Sequence, residues 1–240
     1  MPNRKVCKVA GAPKLIVAVD TVTEPATLAL FDGQRPLLVH QIFGARMVLA
    51  ELGNFLARVV AVAAGAGEPI SSVAVSVGPG GFSGSRIGVA AAKSFAKARG
   101  ARVLVFDHLE ALGHAAAAEL GRDRPLVVLD DARRGQWHML LMGEPGSSSK
   151  TLDTLECERH LAALGPCRVV ACSEGIAGRV AGLAQVELAA DAFARLAGSP
   201  LGAYLASLAV VRELIEPESV EVRYVREYEA VAKFPPRDGA

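Results

Sequence analysis

Between Ser76 and Lys93 the chain reads SVGPGGFSGSRIGVAAAK, with Gly78, Gly80, Gly81 and Gly84 set between an apolar strand and a small-residue helix. Backbone N–H groups of such a loop cradle phosphates in nucleotide-binding proteins, so phosphate chemistry is the first to weigh. The spacing matches neither the G-x-G-x-x-G fingerprint in full nor G-x-x-x-x-G-K-[ST]. Asp20-Thr21-Val22-Thr23 is a second candidate, because an acidic residue ending a strand, with hydroxyls after it, suits a metal-bound phosphate. No glycine follows Asp20 to let phosphate approach. The competing reading is that Asp20, Thr21 and Thr23 satisfy backbone groups of a strand-ending turn, so they stand as weak cofactor-binding candidates and no cofactor is expected.

Metal and nucleophile chemistry find less. His108 and His114 are six residues apart and cannot form the i, i+4 pair of a helical metal site, and His40, His138 and His160 are isolated. Cys7, Cys157, Cys167 and Cys172 contain no C-x-x-C spacing. An odd separation puts Cys167 and Cys172 on opposite faces of one strand, which excludes joint ligation, and scattered thiols suit a reducing compartment. No nucleophile-elbow motif marks a Ser-His-Asp arrangement. Catalytic and metal-binding residues are therefore expected to be absent.

The elements that hold these residues can be read in outline. Leu15 to Val19 form a strand that Asp20 ends, Thr27 to Phe31 and Pro36 to His40 two more, and Asp32-Gly33 the hairpin turn between them. Helices are expected over Ala45 to Ala64 and about Arg86 to Arg99. Strands follow near Leu126 to Leu129, Trp137 to Met142 and Arg168 to Ala171, with helices around Thr151 to Leu164, Ala177 to Leu183 and Asp191 to Leu196. Three meandering strands, a helix, a strand and a helix give the order of an α/β, actin-like (ribonuclease-H-like) two-lobe fold, here with a reduced second lobe. The expected division is 1–14 an N-terminal extension, 15–107 the first lobe, 108–198 the second, and 199–240 a C-terminal helix returning to the first lobe plus a tail. PGSSSK, from Pro145 to Lys150, reads as a polar connection.

At 240 residues, 51% hydrophobic, the chain can bury a large core. A formal charge of +1 argues against a free-standing nucleic-acid binder. No uninterrupted apolar run reaches the roughly 20 residues a membrane helix requires, and no signal-peptide core is present, so a cytoplasmic protein is expected. The first long helix is apolar around most of its circumference, which calls for burial between layers or for cover by another chain. Beside it, a helix rich in Gly88, Ala90, Ala91, Ala92 and Ala96 offers a flat packing surface, and the two would make half of a four-helix bundle.

Ala18 to Leu30 (AVDTVTEPATLAL), Ser76 to Lys93 and Leu129 to Trp137 (LDDARRGQW, with its Asp-Ala-Arg turn) resemble the TsaB (YeaZ) family of bacterial tRNA threonylcarbamoyladenosine biosynthesis proteins. Tyr224-Val225-Arg226 stands near that family's Tyr-Leu-Arg, whereas Ala45-Arg46-Met47 replaces its usual His-Ser or His-Thr pair. The resemblance covers most of residues 15 to 145. It implies a non-catalytic scaffold that binds and activates the metal-holding paralogue TsaD, helps recruit the ATPase TsaE, can self-pair, and meets ANN-decoding tRNA only through the complex. It places the partner interface at Met47, Leu52, Phe55, Val59, Arg86, Val89 and Phe95, and a structural loop at Gly78, Pro79, Gly80, Phe82, Gly84 and Arg86. The alternative is an autonomous actin-like ATPase or kinase, or a peptidase of the kind this family was once suspected to be.

Overall fold

The computed structural model describes residues 15–33, 35–44, 46–143, 149–183, 185–189 and 214–222. The first lobe is built on a five-stranded sheet. β1 (Leu15–Asp20), β2 (Ala26–Asp32), β3 (Arg35–Ile42), β4 (Ile70–Ser76) and β5 (Arg102–Phe106) lie in the order β3-β2-β1-β4-β5, with β1 antiparallel to β2 and parallel to β4. β1 is buried along its whole length, as its unbroken apolar run requires. Gly33 supplies the positive φ that the two-strand turn needs.

α1 (Val48–Ala66) and α2 (Phe82–Arg99) cover one face of this sheet, where Leu52, Phe55, Val59, Val89 and Ala96 join Val17, Val19 and Val75 in one core. α1 is long and apolar enough to cross a membrane by length and composition. Glu51, Asn54 and Arg58 interrupt it, however, and its buried stripe is part of this core. α2 begins at Phe82, four residues before the sequence expectation, because Gly81 already stands at its N-cap in an extended conformation. Residues 214–222 return to the same lobe. Ile215 bridges Val103, and Lys93 donates to the Val220 carbonyl at 2.9 Å.

The second lobe repeats the first. β6 (Leu126–Arg133), β7 (Gln136–Met142), β8 (Lys150–Asp153), β9 (Cys167–Ala171) and β10 (Val186–Leu188) lie in the order β10-β9-β6-β7-β8, with β6 antiparallel to β7 and parallel to β9. β6 therefore takes the place of β1, and the reduction lies in the lengths of the later elements: three residues in β10, seven in α5 (Glu174–Val180). The sequence reading ran a helix through Thr151. The structure makes Lys150–Asp153 a strand and starts α4 (Thr154–Leu164) at a cap, where the Asp153 carboxylate accepts from the Glu156 N–H at 2.8 Å.

β5, β10 and α3 (His108–Leu120) lie outside the elements read from the sequence. α3 joins the lobes, with Ala111 in a core under the first sheet and Leu109, Leu112 and Ala115 in a core under the second. The expected helix over Asp191 to Leu196, the extension 1–14, Cys7, Tyr224-Val225-Arg226 and most of the C-terminal segment lie outside the described residues.

Candidate functional site

β1 ends on a carboxylate at the hinge, and β6 carries one three residues before its end. Asp20 follows the last parallel pair of β1 (Val19 with Val75), and Asp130 follows the last of β6 (Leu129 with Ala171), so the two occupy equivalent places in the repeated topology. Both are buried. His108, the first residue of α3, is 3% exposed, and its Nδ1 lies 2.6 Å from Asp20 Oδ2. Its Nε2 lies 3.2 Å from Thr23 Oγ1.

The glycine loop sets this geometry. Gly81 donates to the Val22 carbonyl at 2.7 Å, Thr21 Oγ1 donates to the Gly84 carbonyl at 2.7 Å, and the His108 N–H donates to the Gly78 carbonyl at 2.9 Å. The loop thus packs on the turn after β1 and ties the start of α3 to it. A Cβ on Gly80 would come 2.6 Å from the Val22 carbonyl oxygen, and one on Gly84 would collide with the Thr21 carbonyl oxygen. The glycines permit close approach of this chain's own backbone, in the space where a phosphate loop would admit a ligand. Thr21 and Thr23 are engaged within the protein, and Asp20 also accepts from the Val22 N–H at 3.3 Å. No cluster of three or more His, Cys, Asp or Glu side chains suited to a metal occurs among the described residues.

Burial by itself would push the His108 pKa down. The Asp20 carboxylate, by charge and hydrogen bond, outweighs it with help from Asp130 and Asp107, and the imidazole is held above its ordinary value. Asp130 is raised by burial, against the downward pull of His108. Asp20, His108 and Thr23 have the connectivity of an acid–imidazole–hydroxyl triad, an array the sequence reading missed because its members are 85 and 88 residues apart. A protonated ring donates from both nitrogens, and in that state Thr23 accepts a hydrogen bond and is not activated as a nucleophile.

Asp107 caps α3, accepting from the Glu110 N–H at 3.1 Å and from Ser149 Oγ at 2.7 Å. Ser76 Oγ is buried without a hydrogen-bond partner, at the end of β4 beside Asp20. A cavity of about 450 Å³ lined by Arg122, Asp123, Arg124 and Leu164 lies at the opposite end of β6 and shares no residue with this cluster.

The thiols among the described residues are held back from ionising by the same physics. Burial raises Cys172, with Asp130 and Asp20 adding to it, and burial pushes Cys157 up to about 12. Peptide mapping after brief thiol alkylation at neutral pH is expected to find Cys157 and Cys167 unmodified in the folded protein and labelled after denaturation. Labelling of either within minutes in the native state would contradict their burial.

The expected interface residues divide. Leu52, Phe55, Val59 and Val89 lie in the lobe's own core, each no more than 5% exposed, which corrects their placement on an outward face. The i, i+3, i+4 stripe that looked outward is the one the sheet needs. Met47 is 49% exposed, Arg86 is exposed over the Phe82 ring at 3.7 Å, and Phe95 is half-buried. The outward face of α1 carries instead Leu49, Gly53, Ala57, Ala61 and Ala64, beside the polar Asn54 and Arg58.

Comparison with known proteins agrees with this architecture. A Pseudomonas aeruginosa protein described as similar to the peptidase YeaZ superposes with a TM-score of 0.67 at 22% identity, covering 89% of this chain and 100% of that one. YeaZ from Pseudomonas aeruginosa gives 0.64 at 22% identity, covering 88% and 99%. The fold is that of YeaZ. Residues 45–161 match the family described as TsaD, tRNA N6-adenosine threonylcarbamoyltransferase. A tRNA N6-adenosine threonylcarbamoyltransferase from Solidesulfovibrio magneticus is 32% identical over 124 residues, 45% of this chain and 33% of that protein. The chain therefore spans about a third of the length of this curated relative.

Proposed function

We propose that this chain acts in the synthesis of threonylcarbamoyladenosine on tRNA, as a TsaB-like subunit that carries no catalytic centre of its own. The observation that carries the reading is the match of residues 45–161 to the transferase family, set on a YeaZ fold. The cleft supports the non-catalytic part, because the groups that would grip a nucleotide phosphate are engaged by His108 and the glycine loop. On this reading a TsaD-like subunit transfers the threonylcarbamoyl group in the cytoplasm, and this chain binds and activates it, helps recruit a TsaE-like ATPase, and pairs with itself when that partner is absent. tRNA meets it through the complex.

The surface for that contact is the outer face of α1 and α2, where small side chains let a second helix pair approach closely and Met47, Leu49 and Phe82 supply apolar area. Ala57→Glu and Ala61→Glu place charges on this face away from the core. Each is expected to weaken binding to the TsaD-like partner by roughly 30-fold or more, with the melting temperature unchanged. Titration calorimetry showing unaltered affinity for both would remove this face from the interface.

The reading itself is tested by reconstitution with tRNA, threonylcarbamoyl-adenylate and the TsaD-like subunit of the same organism. Modified adenosine is expected only when both proteins are present. Product from this chain alone, or tight binding and turnover of magnesium-ATP by it alone, would instead establish an autonomous enzyme.

A further inference from the structure

The repeated topology places one carboxylate at the equivalent point of each lobe, and His108 of the connecting helix is bonded to the first and feels the charge of the second. We propose that His108 is an internal counter-ion that couples the two lobes, paired directly with Asp20 of the first from a helix packed under both sheets and lying in the field of Asp130 of the second, so that the contact between the lobes loosens when the ring loses its proton. The inference stands apart from the tRNA reading, since it concerns the hinge whatever the partner.

Several observations converge on it. His108 Nδ1 and Asp20 Oδ2 are 2.6 Å apart with both side chains 4% exposed, so the charge is shielded from water and the pair interacts strongly. Asp130 acts on the ring from β6, and Asp107 from the residue before α3. Thr23 meets the other ring nitrogen from the turn after β1. Cys172, after β9, faces the same carboxylates and stays a neutral thiol. Two buried acidic side chains that act on one site are costly without a compensating cation, and a protonated His108 supplies it. Its position at the first turn of α3 makes that cation part of the element packed under both sheets.

The direction of the pH dependence follows from linkage. His108 is raised in the closed state above the ordinary imidazole value of 6.5, so the stabilisation is full below 6.5 and is lost as pH rises through the closed-state midpoint. Between those limits opening releases one proton, and the opening constant grows by up to about tenfold per pH unit. Asp130 is also raised, so its contribution likewise favours the closed form at lower pH.

The experiment is NMR of the full chain with labelled histidines, the His108 signal being assigned from a His108→Gln variant. Hydrogen–deuterium exchange of peptides covering 76–84 and 107–112 is followed over the same pH range and corrected for the intrinsic rate. The expected result is a His108 midpoint above 6.5 that falls in Asp130→Asn, with hinge protection declining across that same titration. His108→Gln should remove the pH dependence of hinge protection. A wild-type midpoint at or below 6.5, or one unmoved by Asp130→Asn, overturns the proposal without relying on any His108 variant that fails to fold. Hinge exchange that tracks pH identically in wild type and His108→Gln also overturns it.

Discussion

Gly84→Val is expected to abolish accumulation of folded protein, and Gly84→Ala to cost more than about 3 kcal/mol, at or beyond the upper end for overpacked sites. The reason is what the new Cβ meets. At Gly84 it collides with the Thr21 carbonyl oxygen, a backbone atom fixed by β1 that cannot swing aside as a long side chain would. The same carbonyl of Gly84 receives the Thr21 hydroxyl, so displacement of the loop breaks that bond and loosens the turn carrying Asp20. Gly53, in the middle of α1 with nothing near its would-be Cβ, is the control. Gly53→Ala should raise stability by up to about 1 kcal/mol, from helix propensity alone. Chemical denaturation of the two alanine variants separates the cases, and equal midpoints for both would mean that the loop does not pack on the turn as described.

His108→Leu is expected to destabilise the fold by about 3–5 kcal/mol at neutral pH, on the order of ten degrees in melting temperature for a chain of this size. Removing the imidazole leaves the Asp20 carboxylate 4% exposed and without its ionic partner, and the cost of a stranded charge exceeds that of the lost contact. A second substitution, Asp20→Asn, in the His108→Leu background removes the stranded charge and should recover part of the loss. The double-mutant cycle then reports the coupling between the two groups. A His108→Leu protein that melts with the wild type would show that the buried ion pair is not formed.

Much of the architecture was legible because it rests on local patterns. The apolar run Leu15–Asp20, the Asp32-Gly33 turn and the glycine loop between β4 and α2 each declare themselves within ten residues, and their order alone implies the two-lobe fold. β8 was hidden, because its four residues run straight into the cap of α4 and the helical pattern overrides so short a strand. β10 is shorter still. α3 was missed in part because its buried face turns to both sheets, which blurs the 3.6-residue period that marks a helix packed on one side.

The interface illustrates a different limit. Composition shows that α1 is apolar beyond one stripe, but the phase of the helix on the sheet selects which apolar residues face inward. Leu52, Phe55 and Val59 turn inward and fill the space over β2 and β3, leaving Leu49 outside with most of the alanines and the glycines.

By itself, then, the amino-acid order determined the α/β class, the position of the glycine loop, the scattered spacing of the thiols and the likeness to the TsaB family. Only the tertiary structure decided what the glycines are for and where the ionic centre lies. Asp20, His108 and Asp130 are separated by 88 and 22 residues and share no motif. They come to one junction because β1 ends there, β6 passes it at Asp130 and α3 starts there, and a Coulomb interaction depends on that distance in space and on the water excluded around it.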